Sequence, residues 1–389
     1  MGSHPHPRLV CPLSCKNETK GTIMSKLQDA ETAYTFDDFV LVPMHSEIKS
    51  RKDPEINVSL PDFDFPLPIV AAPMNTVCEE DMLVAMCDMG ATGVLHRYMS
   101  IEDQYNMCKN VMARLSDAVS DTPVLSWGPN CTQKFYAAVG AQGPQGDSSD
   151  RAAALMEAGV HGICIDVANG HNALCINTVR ALRARWPTVN IMAGNVCTLA
   201  GARDLAAAGA NSLRVGVGPG AVCTTRLVTG HGVPQLSAIE DCARIKEEYP
   251  NIALIADGGI RYSGDIVKAL AIGADAIMIG SLLAGTIESP GEWLEENGQL
   301  FKYYHGMASV EGRKKWFDKS KAGLPSEGVS TKVPYTGRSA YRVVEGLCQS
   351  VKVGLSYAGA RNLAELREKA VWRRVTAAGV TEGTPHGKR

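Results

Sequence analysis

The sequence predicts an α/β protein built as a closed (β/α)8 TIM barrel, and three observations carry that expectation. Short apolar runs alternate with helical segments from about Asp37 onward, the pattern of parallel strands joined by crossover helices. Eight such runs precede a change of pattern near Glu292. The residues with chemical potential fall directly after these runs, where a barrel gathers its strand ends and its reactive groups. An open dinucleotide-binding sheet would need a G-x-G-x-x-G turn after its first strand, and none is there.

Residues 66–73 read as the first strand, and residues 79–89 then carry apolar side chains at helical spacing. The second strand is 91–96; the third is placed at 135–140 in preference to 123–126. A helix around 152–158 leads to the fourth strand at 162–166, and 190–194 is the fifth. Residues 212–215, 253–259 and 276–281 complete the set. Residues 292–334 are rich in Lys, Gly and Ser with weak periodicity, which reads as a mobile flap over the barrel mouth. Residues 361–374 read as a closing helix.

Composition bounds the function. The chain has 389 residues, 45% of them hydrophobic and 21% charged, as in soluble globular proteins. A net charge of −2 speaks against a nucleic-acid partner, which would call for a basic surface, but leaves room for a local anion pocket. The 12 cysteines include no C-x-x-C pair and no His/Cys cluster at zinc spacing, which suits a reducing compartment. No apolar run approaches the roughly 20 residues that span a bilayer, and the leader lacks a signal peptide's apolar segment. The expectation is a cytoplasmic protein without a membrane partner. Residues 1–33 read as a flexible leader, partly tag-like, with Met24 as an internal start. Residues 34–375 read as the barrel, with its flap at about 300–334, and 376–389 as a flexible tail.

The sixth strand opens into Gly216-Val-Gly-Pro-Gly-Ala-Val-Cys223-Thr-Thr225-Arg226. A thiol presented at a strand end is a candidate nucleophile, with Arg226 favouring its charge and the threonines offering relay hydroxyls. A buried structural cysteine beside a tight turn fits the same residues equally well. After the seventh strand comes Asp257-Gly258-Gly259, and after the eighth Gly280-Ser281. Such glycines expose backbone N–H groups to a phosphate, although ordinary tight turns look alike. Asp257 suits either a ribose hydroxyl or a helix cap.

Taken together, Tyr34-Thr-Phe-Asp-Asp-Phe-Val-Leu-Val-Pro43, Ala72-Pro-Met-Asn-Thr-Val77, Ala193-Gly-Asn-Val196, the cysteine loop, Ala256-Asp-Gly-Gly259 and Gly306-Met307 resemble the IMP dehydrogenase and GMP reductase family, from about Tyr34 to Val375. The resemblance implies a purine nucleoside 5′-monophosphate as substrate. It also implies attack of the cysteine on purine C2 and hydride exchange with a nicotinamide cofactor. Three features resemble the reductase branch: Asp166-Val-Ala-Asn-Gly170, Cys223-Thr-Thr-Arg226 with its continuation to Ser237, and a flap without the Arg-Tyr pair with which dehydrogenases activate water. The implied reaction is NADPH-dependent reductive deamination of GMP to IMP and ammonia. Cys223 would be the nucleophile, and Thr225 and Glu327 the pair that protonates the departing amine. By itself, Glu327 reads as a solvated flap residue. The alternatives are an IMP dehydrogenase lacking CBS domains, a catalytically silent purine-nucleotide-binding barrel, or another flavin- or phosphate-binding barrel.

The resemblance assigns further roles. Asp257, Gly258, Gly259, Gly280, Ser281 and Tyr304 would hold ribose and phosphate, Gly306 and Met307 the purine, with Ser326 and Gly328 also on the substrate side. Arg97, Asp166, Ala168 and Gly218 would meet the nicotinamide side, and Asn169 would also bind the cofactor. Ser50 and Arg51 would meet the cofactor's adenosine end, across a subunit boundary of a homotetramer, and Tyr357 and Gly359 would also bind the cofactor. Arg51 could pair with a 2′-phosphate, favouring NADPH, and equally reads as a solvated member of the basic run 49–52. Gly218, Gly220 and Cys223 would give carbonyls to a potassium ion. Some positions depart from the family pattern: Ala221 replaces a loop serine, Leu324-Pro325 replaces a flap arginine, and the tail at 375–380 looks like the dehydrogenase branch.

Overall fold

Eight short strands close into a parallel barrel in the computed structural model, which describes residues 27, 29–61, 63–118, 133–141, 147–314 and 325–385. They are β1 (Ile69–Ala71), β2 (Thr92–Leu95), β3 (Tyr136–Val139), β4 (Gly162–Asp166), β5 (Asn190–Val196), β6 (Ser212–Val215), β7 (Ala253–Asp257) and β8 (Ala276–Ile279). Each pairs with its neighbour in sequence, and β8 returns to β1 through Ile277–Ile69, Met278–Val70 and Ile279–Ala71. Every predicted strand coincides with one of these. The weaker site for the third, residues 123–126, lies outside the described residues, as do residues 1–26 of the leader.

Side-chain alternation builds two cores from one wall. Val70, Val94, Tyr136, Cys164, Met192, Ile255 and Met278 point into the barrel. Ile69, Leu95, Ile163, Ile191, Leu213, Leu254 and Ile277 point outward beneath the helices. Both faces are covered, so the strands are apolar throughout and contain few charges. The helices include Glu80–Asp88, Ala173–Arg185, Leu199–Ala208, Ser263–Ile272 and Ala340–Tyr357. Asn172, Thr198 and Ser339 cap three of them by accepting from backbone N–H groups. The hairpin of Val58–Leu60 and Phe63–Phe65 packs its buried side chains onto the inward-facing cluster. Polar groups join it there: Asn190, at the start of β5, donates to the Pro61 carbonyl and accepts from the Tyr136 hydroxyl. The opposite end is left open to carry chemistry.

The chain after β8 departs from the prediction. Within the expected irregular flap, Trp293–Glu296, Gln299–His305 and Ser330–Pro334 form an antiparallel sheet. Its first turn is Asn297-Gly298, with φ of 52° and 77°, the left-handed pair that a two-residue hairpin requires. Residues 361–374 are not one helix: Leu363–Lys369 is helical, and Trp372–Arg374 pairs with Phe39–Leu41. A short helix, Ala377–Glu382, follows where no element is predicted. Among the described residues no helix is long and apolar enough to cross a membrane.

Candidate active site

A cavity of about 530 Å³ opens at the C-terminal ends of the strands. Its shape begins with Gly216, directly after β6, where φ is +144°. A side chain there would overlap the Asp257 carbonyl oxygen and the Gln235 amide. Gly216→Ala is therefore expected to cost about 2–4 kcal/mol of stability through backbone strain and overlap, measurable as a lowered urea midpoint. An unchanged midpoint would show that the turn yields freely.

The loop then folds back on itself, with the Cys223 N–H donating to the Gly220 carbonyl at 3.0 Å. A backbone ladder fixes the end of the flap against it. Thr224 N–H donates to Glu327 O, Val329 N–H to Val222 O, and Cys223 and Gly328 form an antiparallel bridge. This register places three side chains in line. The Cys223 thiol donates to Thr225 Oγ1 at 3.1 Å, and the Thr225 hydroxyl donates to Glu327 Oε2 at 3.0 Å. A proton path from sulfur to carboxylate is thus in place.

Asp257, Gly258 and Gly259 line the cavity with Gly280, Ser281, Tyr304, Gly306 and Met307. Gly258 and Gly259 both hold positive φ, 91° and 78°. Burial pushes the Tyr304 phenol well above its usual range, so it stays a protonated hydrogen-bond donor near Gly280. On the other flank lie Arg97, Asp166, Ala168, Gly218 and Gly220. Arg97 donates to the Asp166 carbonyl at 3.3 Å. It is held by the turn that follows β2, where buried His96 accepts from Tyr98 N–H and meets Glu79 at 2.9 Å.

Other predicted positions fall elsewhere. Asn169 accepts from the His171 N–H and does not line the cavity. Gly328 meets Cys223 through backbone only, and the Ser326 hydroxyl donates to Ala308 O and Gly328 O, bracing the loop behind the site. Ser50, Arg51, Tyr357 and Gly359 are also absent from the lining; Arg51 lies over the Tyr357 ring at 5.5 Å, and Gly359 lies against the His45 carbonyl. Arg226 lines the cavity, but its Nη2 donates to the Val233 carbonyl, and its side chain packs beside Gly218 and Gly232. Its contact is thus with the loop backbone rather than with Cys223. The flap residues 315–324 lie outside the described residues.

Sequence reading missed the groups beneath these. Arg214, in the middle of β6, ion-pairs with Asp166 at 2.6 Å and Asp257 at 2.7 Å. Asn195 donates to Asp257 at 2.8 Å, and Gln235 donates to the carbonyls of Val215 and Asp257. Burial works against the charge of Arg214, yet Asp257 and Asp166 hold its guanidinium protonated well beyond even its usual range. The available signal was an arginine inside the apolar run Ser212-Leu-Arg-Val215.

The family model for the IMP dehydrogenase / GMP reductase domain matches residues 33–386. An inosine-5′-monophosphate dehydrogenase of Aquifex aeolicus is 47% identical over 63% of this chain, and the match spans about half (51%) of that relative's length. A GMP reductase of Leishmania donovani is 32% identical, over 90% of this chain and 96% of its own length. The crystal structure of a GMP reductase from Trypanosoma brucei in complex with guanosine 5′-monophosphate superposes with a TM-score of 0.85 at 30% identity, covering 94% of this chain and all (100%) of that one.

Proposed function

The chain belongs to the IMP dehydrogenase / GMP reductase family of oxidoreductases, and from that premise we propose that it is a GMP reductase, converting GMP to IMP and ammonia with NADPH. The observation that carries this reading is the Cys223–Thr225–Glu327 line at the cavity wall. The sequence between Arg313 and Gly328, which has no Arg-Tyr pair to activate water, supports the reductase over the dehydrogenase reaction.

Cys223 adds to C2 of GMP, and its proton passes through the Thr225 hydroxyl toward Glu327. The 2-amino group cannot leave as an amide anion, so the same line returns a proton and ammonia departs. When bound, NADPH supplies the hydride that takes the vacated place at C2. Breaking the C–S bond then releases IMP and returns the sulfur to Cys223. Overall, one hydride and two protons enter, and one ammonium ion leaves. Asp257 Oδ2 is taken by Arg214 and Asn195, so a ribose hydroxyl would go to Oδ1. The glycine turns and Ser281 would hold the phosphate, with the Tyr304 hydroxyl as a further donor.

The cavity fits a nicotinamide group on its Asp166 flank. Asn195, which also lines the cavity beside Asp257, has its Oδ1 buried with no partner among the described residues, and a ligand N–H would satisfy it. Arg97, Asp166 and Ala168 would hold that end. Ser50, Arg51, Tyr357 and Gly359 would serve the adenosine end of a neighbouring subunit's cofactor in a homotetramer. For potassium the fit is partial: the Gly220 carbonyl already accepts from the Cys223 N–H. A cytoplasmic location belongs to the same reading.

The Aquifex relative, an inosine-5′-monophosphate dehydrogenase, favours a second reading, an IMP dehydrogenase. Purified protein given GMP and NADPH is expected to consume NADPH and release ammonia in equal amounts. With IMP and NAD⁺ it should turn over at least about a hundredfold more slowly, since a general base is worth two to four decades. NADH formation from IMP without NADPH loss from GMP would reassign it to the dehydrogenase.

A further inference from the structure

Arg214 stands where the two flanks of the cavity meet, and no step proposed above uses it. It is 5% exposed, lines the cavity floor, and touches both flanks at once. Its Nη1 donates to Asp166 at the end of β4, and its Nη2 to Asp257 at the end of β7. One cation therefore serves a carboxylate on the dinucleotide side and another on the mononucleotide side. A buried ion cluster is weak evidence of stability, because apolar side chains could fill the same space without desolvating charge. The cluster is also incomplete by itself. Among the described residues Arg214 Nε and Asn195 Oδ1 are buried without partners, and both residues line the cavity.

We propose that Arg214 is a positioning residue that couples the mononucleotide subsite to the dinucleotide subsite, so that each ligand tightens the other. The inference rests on the assignment of Asp257 to the nucleotide and Asp166 to the cofactor. The guanidinium is a rigid planar fork. A ribose hydroxyl that fixes the Asp257 carboxylate also fixes the plane of that fork. Through Nη1 it fixes Asp166, so the second ligand meets a carboxylate already ordered and loses less freedom on binding. Linkage makes the effect reciprocal.

Calorimetric titration tests this with IMP and NADPH, a pair that cannot react because the nucleotide has no amine to lose and the cofactor is already reduced. Each ligand is expected to tighten the other by the same factor, about fivefold or more. Arg214→Lys keeps the charge but loses the fork, and should bring that factor below about twofold, with a smaller effect on IMP affinity alone. Asp166→Asn removes one arm and should do the same, which decides the matter if the lysine variant does not fold. A wild-type factor of one, or an unchanged factor in a folded variant, overturns the proposal. Turnover of GMP separately decides the reaction assigned above. If the protein proves to be the dehydrogenase, IMP with NADH carries the identical test. Should neither pair bind, both readings fall.

Discussion

Cys223→Ala is expected to slow GMP turnover by at least about a thousandfold, because a covalent route loses its nucleophile outright. The variant should fold normally, since Cys223 is only partly buried and its backbone ladder to residues 327–329 does not involve the sulfur. Affinity for GMP should stay within about threefold, as the removed contact is reserved for the reacting carbon. The surroundings of the other described cysteines sharpen the test. Cys164, Cys175 and Cys348 are buried, and burial pushes each thiol up to about 12. A thiol-alkylating reagent at neutral pH should therefore modify Cys223 far faster than these three, and GMP should protect it. Mass spectrometry of quenched turnover should find the nucleotide on this residue. Product formation by the alanine variant at a wild-type rate would end the covalent mechanism.

The barrel was legible because its wall is written in short apolar runs punctuated by glycine, and each run's chemistry sits at its C-terminal end. Asp166, Cys223 and Asp257 could be picked out for that reason. What failed was any feature whose meaning depends on partners distant in sequence. Arg214 looks like a polar interruption of a strand until Asp166 and Asp257 arrive from β4 and β7. In Gln299–His305 the inward positions include Lys302, which hides the alternation of a strand. That ammonium is satisfied by carbonyls of Thr286 and Ser289, a cage no local pattern encodes. The Asn297-Gly298 turn beside it was readable and points to the hairpin. The helix Ala340–Tyr357 was readable as well, with buried residues at 340, 344, 348, 351 and 355. Ser50, Arg51, Tyr357 and Gly359 do not line this cavity, because a resemblance carries residues over one by one and does not say which of them share a surface.

Glu327→Gln separates proton transfer from simple orientation at the same site. Glutamine matches glutamate in size, and its amide oxygen can still accept from the Thr225 hydroxyl, now 3.0 Å from Glu327 Oε2. The line Cys223–Thr225–residue 327 would keep its geometry while losing the group that stores a proton. We expect kcat with GMP to fall by about 10²–10⁴-fold with KM within about threefold, the pattern of an interaction made in the transition state. The leaving group supplies the control. Amine departure needs a proton, whereas a halide at C2 leaves without one, so the penalty of Glu327→Gln should shrink by at least about tenfold on a 2-halo nucleotide. The remaining loss would report thiol activation, which both substrates share. An equal penalty on both would confine Glu327 to activating Cys223. A variant as fast as wild type on GMP would remove the carboxylate from the chemistry and leave Thr225 to exchange its proton directly with water.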